Sequence, residues 1–146
     1  MVEQTHFGVI SPALSSTVAL IDAHADDIAA KITADYLEQH PEFCGSSETR
    51  VRRMCKEDTL HHLSFLQNAL RTGLPEIFSN YMLWLREVLL SRHLDTSHTE
   101  VALKSLASYL QETVPDSDKD KVATILVDAL AIFDSSDSRS LASAHP

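Results

Sequence analysis

Asp58 and His62 stand four residues apart in CKEDTLHHLSFLQNAL, residues 55–70. A carboxylate and an imidazole at that spacing meet on one face of a helix. The carboxylate favours the imidazolium, and each group lowers the cost of burying the other. Both fall in line with Val51, Cys55, Leu66 and Ala69, so the spacing predicts partial burial on an apolar stripe. Two uses fit. One is a polar site inside the fold that grips a ligand or senses pH. The other, and the simpler, is a structural hydrogen bond that fixes helix packing.

Glu57 and His61 repeat the spacing one residue earlier and make the run EDxxHH. Di-iron bundles use Glu-x-x-His on two helices with further glutamates from the others. In EDxxHH it is Asp58, not a glutamate, that stands three before His61, so a metal-dependent oxidase is the remotest reading and no metal site is expected. Tyr81 and Trp84 are three apart, with Phe78 one turn earlier. They form either an aromatic wall against a planar cofactor or plain core. With Asp58 and His62 they make the candidate ligand-binding set Asp58, His62, Phe78, Tyr81 and Trp84. A haem alternative uses His62 and His93 as ligands, with Phe43 in the corner before them. The polar flanks of His93, SRHLDTSH, do not supply the apolar shelf that a porphyrin needs. Nucleophilic catalysis has no support, because GxSxG, a glycine-rich phosphate loop and HExxH are all missing. No catalytic residue is assigned.

The elements that would position these residues are helices. Ser11-Pro12 offers an N-cap and a first-turn proline. Val18, Ile21, Ala25, Ile28, Ile32 and Tyr36 then follow at alternating spacings of three and four. This seam predicts a first helix over 12–39, stopped before Pro41. Ser46 or Ser47 caps a second helix that ends near Gly73. Pro75 opens a third, apolar on more than one face, which places it centrally or in an interface. DTSHTE supplies caps for a fourth, which Pro115 ends, and PDSDKDK restarts a fifth. Residues 1–10 read as an irregular arm and 135–146 as a disordered Ser-rich tail, leaving one helical domain over 11–134. The fold class expected is all-α, with about five helices in globin-like or helical-bundle packing.

The segment 51–115 resembles a helical regulatory domain of bacterial sensor proteins. The positions that carry the likeness are Glu57, Asp58, His62, Phe65 and Leu66, then, past a glycine-containing turn, Ile77, Phe78, Tyr81, Trp84 and Leu85. Relatives of this kind are partners of cobalamin-binding modules, and the architecture is similar to non-haem globin sensor domains. The resemblance implies a domain that acts by binding rather than by chemistry of its own.

Composition narrows the partners. The chain has 146 residues, 12 Lys and Arg against 21 Asp and Glu, and a formal net charge of −9. Such a surface repels phosphate backbones, so nucleic acid is not an expected partner. No basic run suits an anionic membrane, and no apolar run approaches twenty residues. Two cysteines, spaced C-x10-C, match neither a disulfide scaffold nor a zinc pattern. The function expected is a non-enzymatic, cytoplasmic sensor or regulatory domain that binds a ligand or a signalling protein, working as a homodimer through the third or first helix. Binding of a tetrapyrrole, haem or bilin, is the alternative.

Overall fold

A computed structural model describes residues 12–43 and 47–143, with side chains described over 15–42 and 47–134. The expected arm at 1–10 and Cys44 lie outside the described residues. Five α-helices follow in order: α1 Pro12–Gln39, α2 Glu48–Thr72, α3 Glu76–Ser91, α4 Ser97–Thr113 and α5 Asp116–Ser143. A short 3-10 turn, Pro41–Phe43, leaves α1. The helices pack as an all-α bundle in which α1 lies against α2, α4 and α5, while α3 bridges α2 and α5.

The helix ends follow local chemistry. Pro41 lacks the N–H that would continue α1. Gly73 closes α2 in the left-handed region, with φ of 71°, and the Leu74 N–H donates to the Ala69 carbonyl at 3.1 Å. That arrangement satisfies carbonyls a helix end would otherwise strand. Pro75 stands at the N-cap of α3. His93 ends α3 with φ of 58°, a conformation that costs a side chain with a Cβ about 1–2 kcal/mol. Pro115 separates α4 from α5.

The core is the union of one stripe from each helix. Ile21, Ile28 and Ile32 of α1 meet Leu63, Leu66 and Leu70 of α2, Phe78 and Met82 of α3, Leu103, Leu106 and Leu110 of α4, and Leu126 and Phe133 of α5. Asp22, Asp26, Asp27, Lys31 and Glu38 fall off the α1 seam and are exposed. A buried polar tie joins α1 to α5: the Thr17 hydroxyl donates to the Asp118 carboxylate. Asp118 sits in the first turn of α5.

Three features depart from expectation. The α1 backbone breaks at His24, with φ −121° and ψ 15°, although no proline or glycine lies near it. The helix α5 continues through the Ser-rich stretch expected as a tail from 135, as far as Ser143. Serine lowers helix propensity by only a few tenths of a kcal/mol each, too little to end a helix by itself. Finally, of the two placements expected for α3 the central one does not hold: Phe78, Tyr81 and Met82 face inward, whereas Leu83 and Trp84 are exposed.

Candidate functional site

A cavity of about 300 Å³ opens between the last turns of α1, the first half of α2, the end of α3 and the start of α4. Its apolar wall comes from Val51, Met54, Leu89, Leu94 and Ala102. Its polar groups are those of Tyr36, Cys55, Asp58, Thr59, His62, Asp95, His98 and Thr99. A concave apolar surface with a few convergent polar groups is the usual form of a small-molecule site.

Helix periodicity explains which α2 residues reach it. Thr59, His62, Leu63 and Leu66 are buried, so the inward face runs through Thr59 rather than Asp58. Asp58 is one residue, or about 100°, away from that line and sits at the cavity edge. As a residue it is exposed, yet its carboxyl is pushed above the ordinary carboxylate value. Local loss of water at the cavity edge is the main cause; His61 opposes the shift and Glu57 adds to it.

His62 is 3% exposed and does not take Asp58 as its hydrogen-bond partner. Its Nδ1 lies 2.7 Å from the Tyr81 hydroxyl of α3, which replaces the expected Asp58–His62 contact. Burial first, and then the neighbouring His61, push the imidazole down to about 4. The ring is therefore neutral at pH 7. A neutral imidazole bonded to Tyr81 through Nδ1 keeps Nε2 as its second polar atom, a donor or an acceptor according to the tautomer. The Tyr81 phenol is pushed upward by burial and by the negative charge of Asp58.

A second Tyr–His pair closes the opposite side. The Tyr36 hydroxyl of α1 is hydrogen-bonded to His98 Nδ1 of α4, and burial lowers the His98 pKa. Asp95 precedes α4, and its Oδ1 accepts from the Ser97 N–H at 2.9 Å. Thr59 donates to the Cys55 carbonyl at 2.8 Å. The Cys55 thiol is pushed up, first by burial; the hydroxyls of Thr33 and Thr59 offset part of that and Asp58 adds to it. A raised thiol pKa disfavours the thiolate and so argues against nucleophilic use.

The remaining candidates separate. Phe78 is fully buried core. Tyr81 stacks on Phe65 with ring centroids 4.0 Å apart and lies 6.4 Å from Trp84. Trp84 itself is 60% exposed while Phe78 and Tyr81 are buried, and none of the three lines the cavity. His93 is exposed, terminates α3 and is not among the lining residues, so the structure does not bring His62 and His93 to one cavity. Among the described residues no group of three or more His, Cys, Asp and Glu side chains is placed to hold a metal ion. Among them, too, no helix is long and apolar enough to cross a membrane.

Sequence reasoning found Asp58 and His62 and missed Tyr36, Asp95 and His98. Tyr36 reads as the last residue of a core seam and His98 as part of a cap. Nothing local pairs residues 62 positions apart. Comparison of the chain with models of protein families, with curated proteins and with solved structures finds no match in any of the three.

Proposed function

We propose that this chain is a non-enzymatic, cytoplasmic sensor or regulatory domain that binds a small ligand in the cavity among α1, α2, α3 and α4. The observation that supports the reading is the cavity itself, lined by the Tyr36–His98 pair, by His62 and by two carboxylates beside an apolar wall. The polar groups are suited to recognition more than to reaction. Its imidazoles are already hydrogen-bonded to phenols, and its thiol is held protonated.

A ligand in this place touches four helices at once and favours the arrangement that best encloses it. The outward face of α3 would carry the response. Trp84, Leu83 at 39% and Phe65 at 37% exposure form an apolar surface suited to a homodimer or a signalling partner. This is the role that resemblance to bacterial regulatory domains implies.

The test is amide-resolved NMR of the chain against a small-molecule library, with Thr99→Trp narrowing the cavity mouth. Ligands that shift Thr59 and Ala102 in the parent and not in Thr99→Trp support the reading. A library without any such ligand sinks it. Light scattering tests the dimer: a strict monomer at high concentration removes that part. Addition of haemin tests the tetrapyrrole alternative, which requires a Soret band and its loss in His62→Gln.

A further inference from the structure

We propose that the cavity takes a small organic monocation, an ammonium head on an apolar body, with the head at Asp58 and Asp95 and the body against Val51, Met54 and Leu89. The inference rests on the ligand-binding reading above and adds the charge and shape of the ligand to it.

Charge carries the argument. Two carboxylates line the cavity and no lysine or arginine does. Among the described residues neither Asp58 nor Asp95 takes part in an ion pair within 4.0 Å. Arg52 pairs with Glu48 at 2.7 Å, Arg50, Arg53 and Arg92 are exposed, and half-buried Lys56 and exposed His61, which acts on Asp58, are not among the lining residues. The two lining histidines do not compensate, since burial disfavours the charged form of both. The cavity therefore carries net negative charge at its open, part-exposed side, a setting that attracts a cation and repels an anion. Asp58 is consistent with this, because its carboxyl is already pushed towards the neutral form for want of water. A cation beside it reverses that cost.

Shape sets the size. About 300 Å³ is at the lower end of small-molecule sites. An aryl or alkyl amine fills it, with an apolar body for Met54 and Leu89 and one charged head. Asp95 remains oriented by its bond to the Ser97 N–H, leaving Oδ2 for the ligand.

The experiment titrates the isotope-labelled full chain with three matched probes: phenethylamine, phenethyl alcohol and hydrocinnamate. Amide shifts at Thr59, Thr99 and Ala102 report binding. The amine is expected to bind at least about fivefold tighter than the alcohol, and the carboxylate weakest, from the range of charge-assisted contacts at a part-exposed site. Asp58→Asn and Asp95→Asn should each weaken the amine by about fivefold and leave the alcohol within about twofold. Asparagine Oδ1 can still accept from the Ser97 N–H, so the second variant keeps the turn before α4. Equal binding of amine and alcohol, tighter binding of hydrocinnamate, or an amine Kd unchanged in both variants overturns the cation assignment and leaves the cavity as a ligand site. No shift at these amides with any probe overturns the ligand-binding reading and the cation assignment together.

Discussion

His62 Nδ1 lies 2.7 Å from the Tyr81 hydroxyl, and this bond joins α2 to α3 inside the bundle. A histidine at 3% exposure cannot meet bulk water, so its polarity must be satisfied within the protein. Tyr81 does that, while its ring stacks on Phe65. The phenol thus couples the cavity side of α2 to the aromatic face that α2 and α3 present outward.

Tyr81→Phe keeps the ring and the stack but removes the hydroxyl. Nδ1 then stays buried without a partner. Leaving such a group unsatisfied costs about 1–3 kcal/mol. Urea denaturation should show that loss, with an unchanged m-value. In the double variant Tyr81→Phe/His62→Leu the second change should cost less than it does alone, because the orphaned acceptor is gone. Additive losses would mean the bond contributes nothing of its own.

Stability should fall on mild acidification through His62. In the fold its imidazole is held down to about 4, whereas in the unfolded chain it titrates near its ordinary 6.5. Between those values the unfolded state binds the extra proton, so stability is full above 6.5 and declines as the pH drops towards 4. The decline amounts to about 3 kcal/mol. Asp58 works in the opposite direction, since a carboxyl raised in the fold is stabilised by acid. His62→Gln keeps hydrogen-bonding capacity and has no proton to take up, so its stability should be flatter from pH 7 to 4. A parental curve that already matches His62→Gln would refute burial of a neutral imidazole.

Phe78 and Trp84 face opposite ways on α3 and should respond differently to truncation. Phe78 is completely buried, and Phe78→Ala should cost about 3–5 kcal/mol through lost burial and a cavity. Trp84 leaves 60% of its surface in solvent, so Trp84→Ala should cost less than about 1 kcal/mol. If Trp84 lies in a homodimer, the same change should shift the monomer–dimer equilibrium without changing monomer stability. Thermal denaturation and light scattering on both variants separate these effects.

The helices were legible because their boundaries are written locally. Pro12, Pro41, Gly73, Pro75 and Pro115 punctuate the chain at the positions where helices begin and end. The three- and four-residue spacings mark buried faces correctly at Ile21, Ile28, Ile32 and Tyr36. What stayed hidden depends on which helix packs against which. An i,i+4 rule joins Asp58 to His62 equally well whether or not a tyrosine arrives from 19 residues on. Thr17 and Asp118 are 101 residues apart, and each alone reads as an ordinary surface or capping residue. The cavity is likewise a product of four helices, so its Tyr36 and His98 carry no local mark.

Gly73 and His93 occupy the same left-handed region at the ends of α2 and α3, with φ of 71° and 58°. They should therefore respond in opposite directions to exchange of glycine for a residue with a Cβ. Gly73→Ala places its new methyl in open space, with no atom within 4 Å. Backbone strain alone remains, at about 1–2 kcal/mol, offset in part by the lower entropy of the unfolded alanine chain. His93→Gly relieves the same strain at the end of α3 and should leave stability unchanged or raise it by up to about 1 kcal/mol. The exchange also leaves the cavity lining intact, since His93 is not part of it. A His93→Gly variant that loses several kcal/mol would show that the imidazole does more than end a helix. Chemical denaturation of the two variants, measured beside the parent, decides between these outcomes.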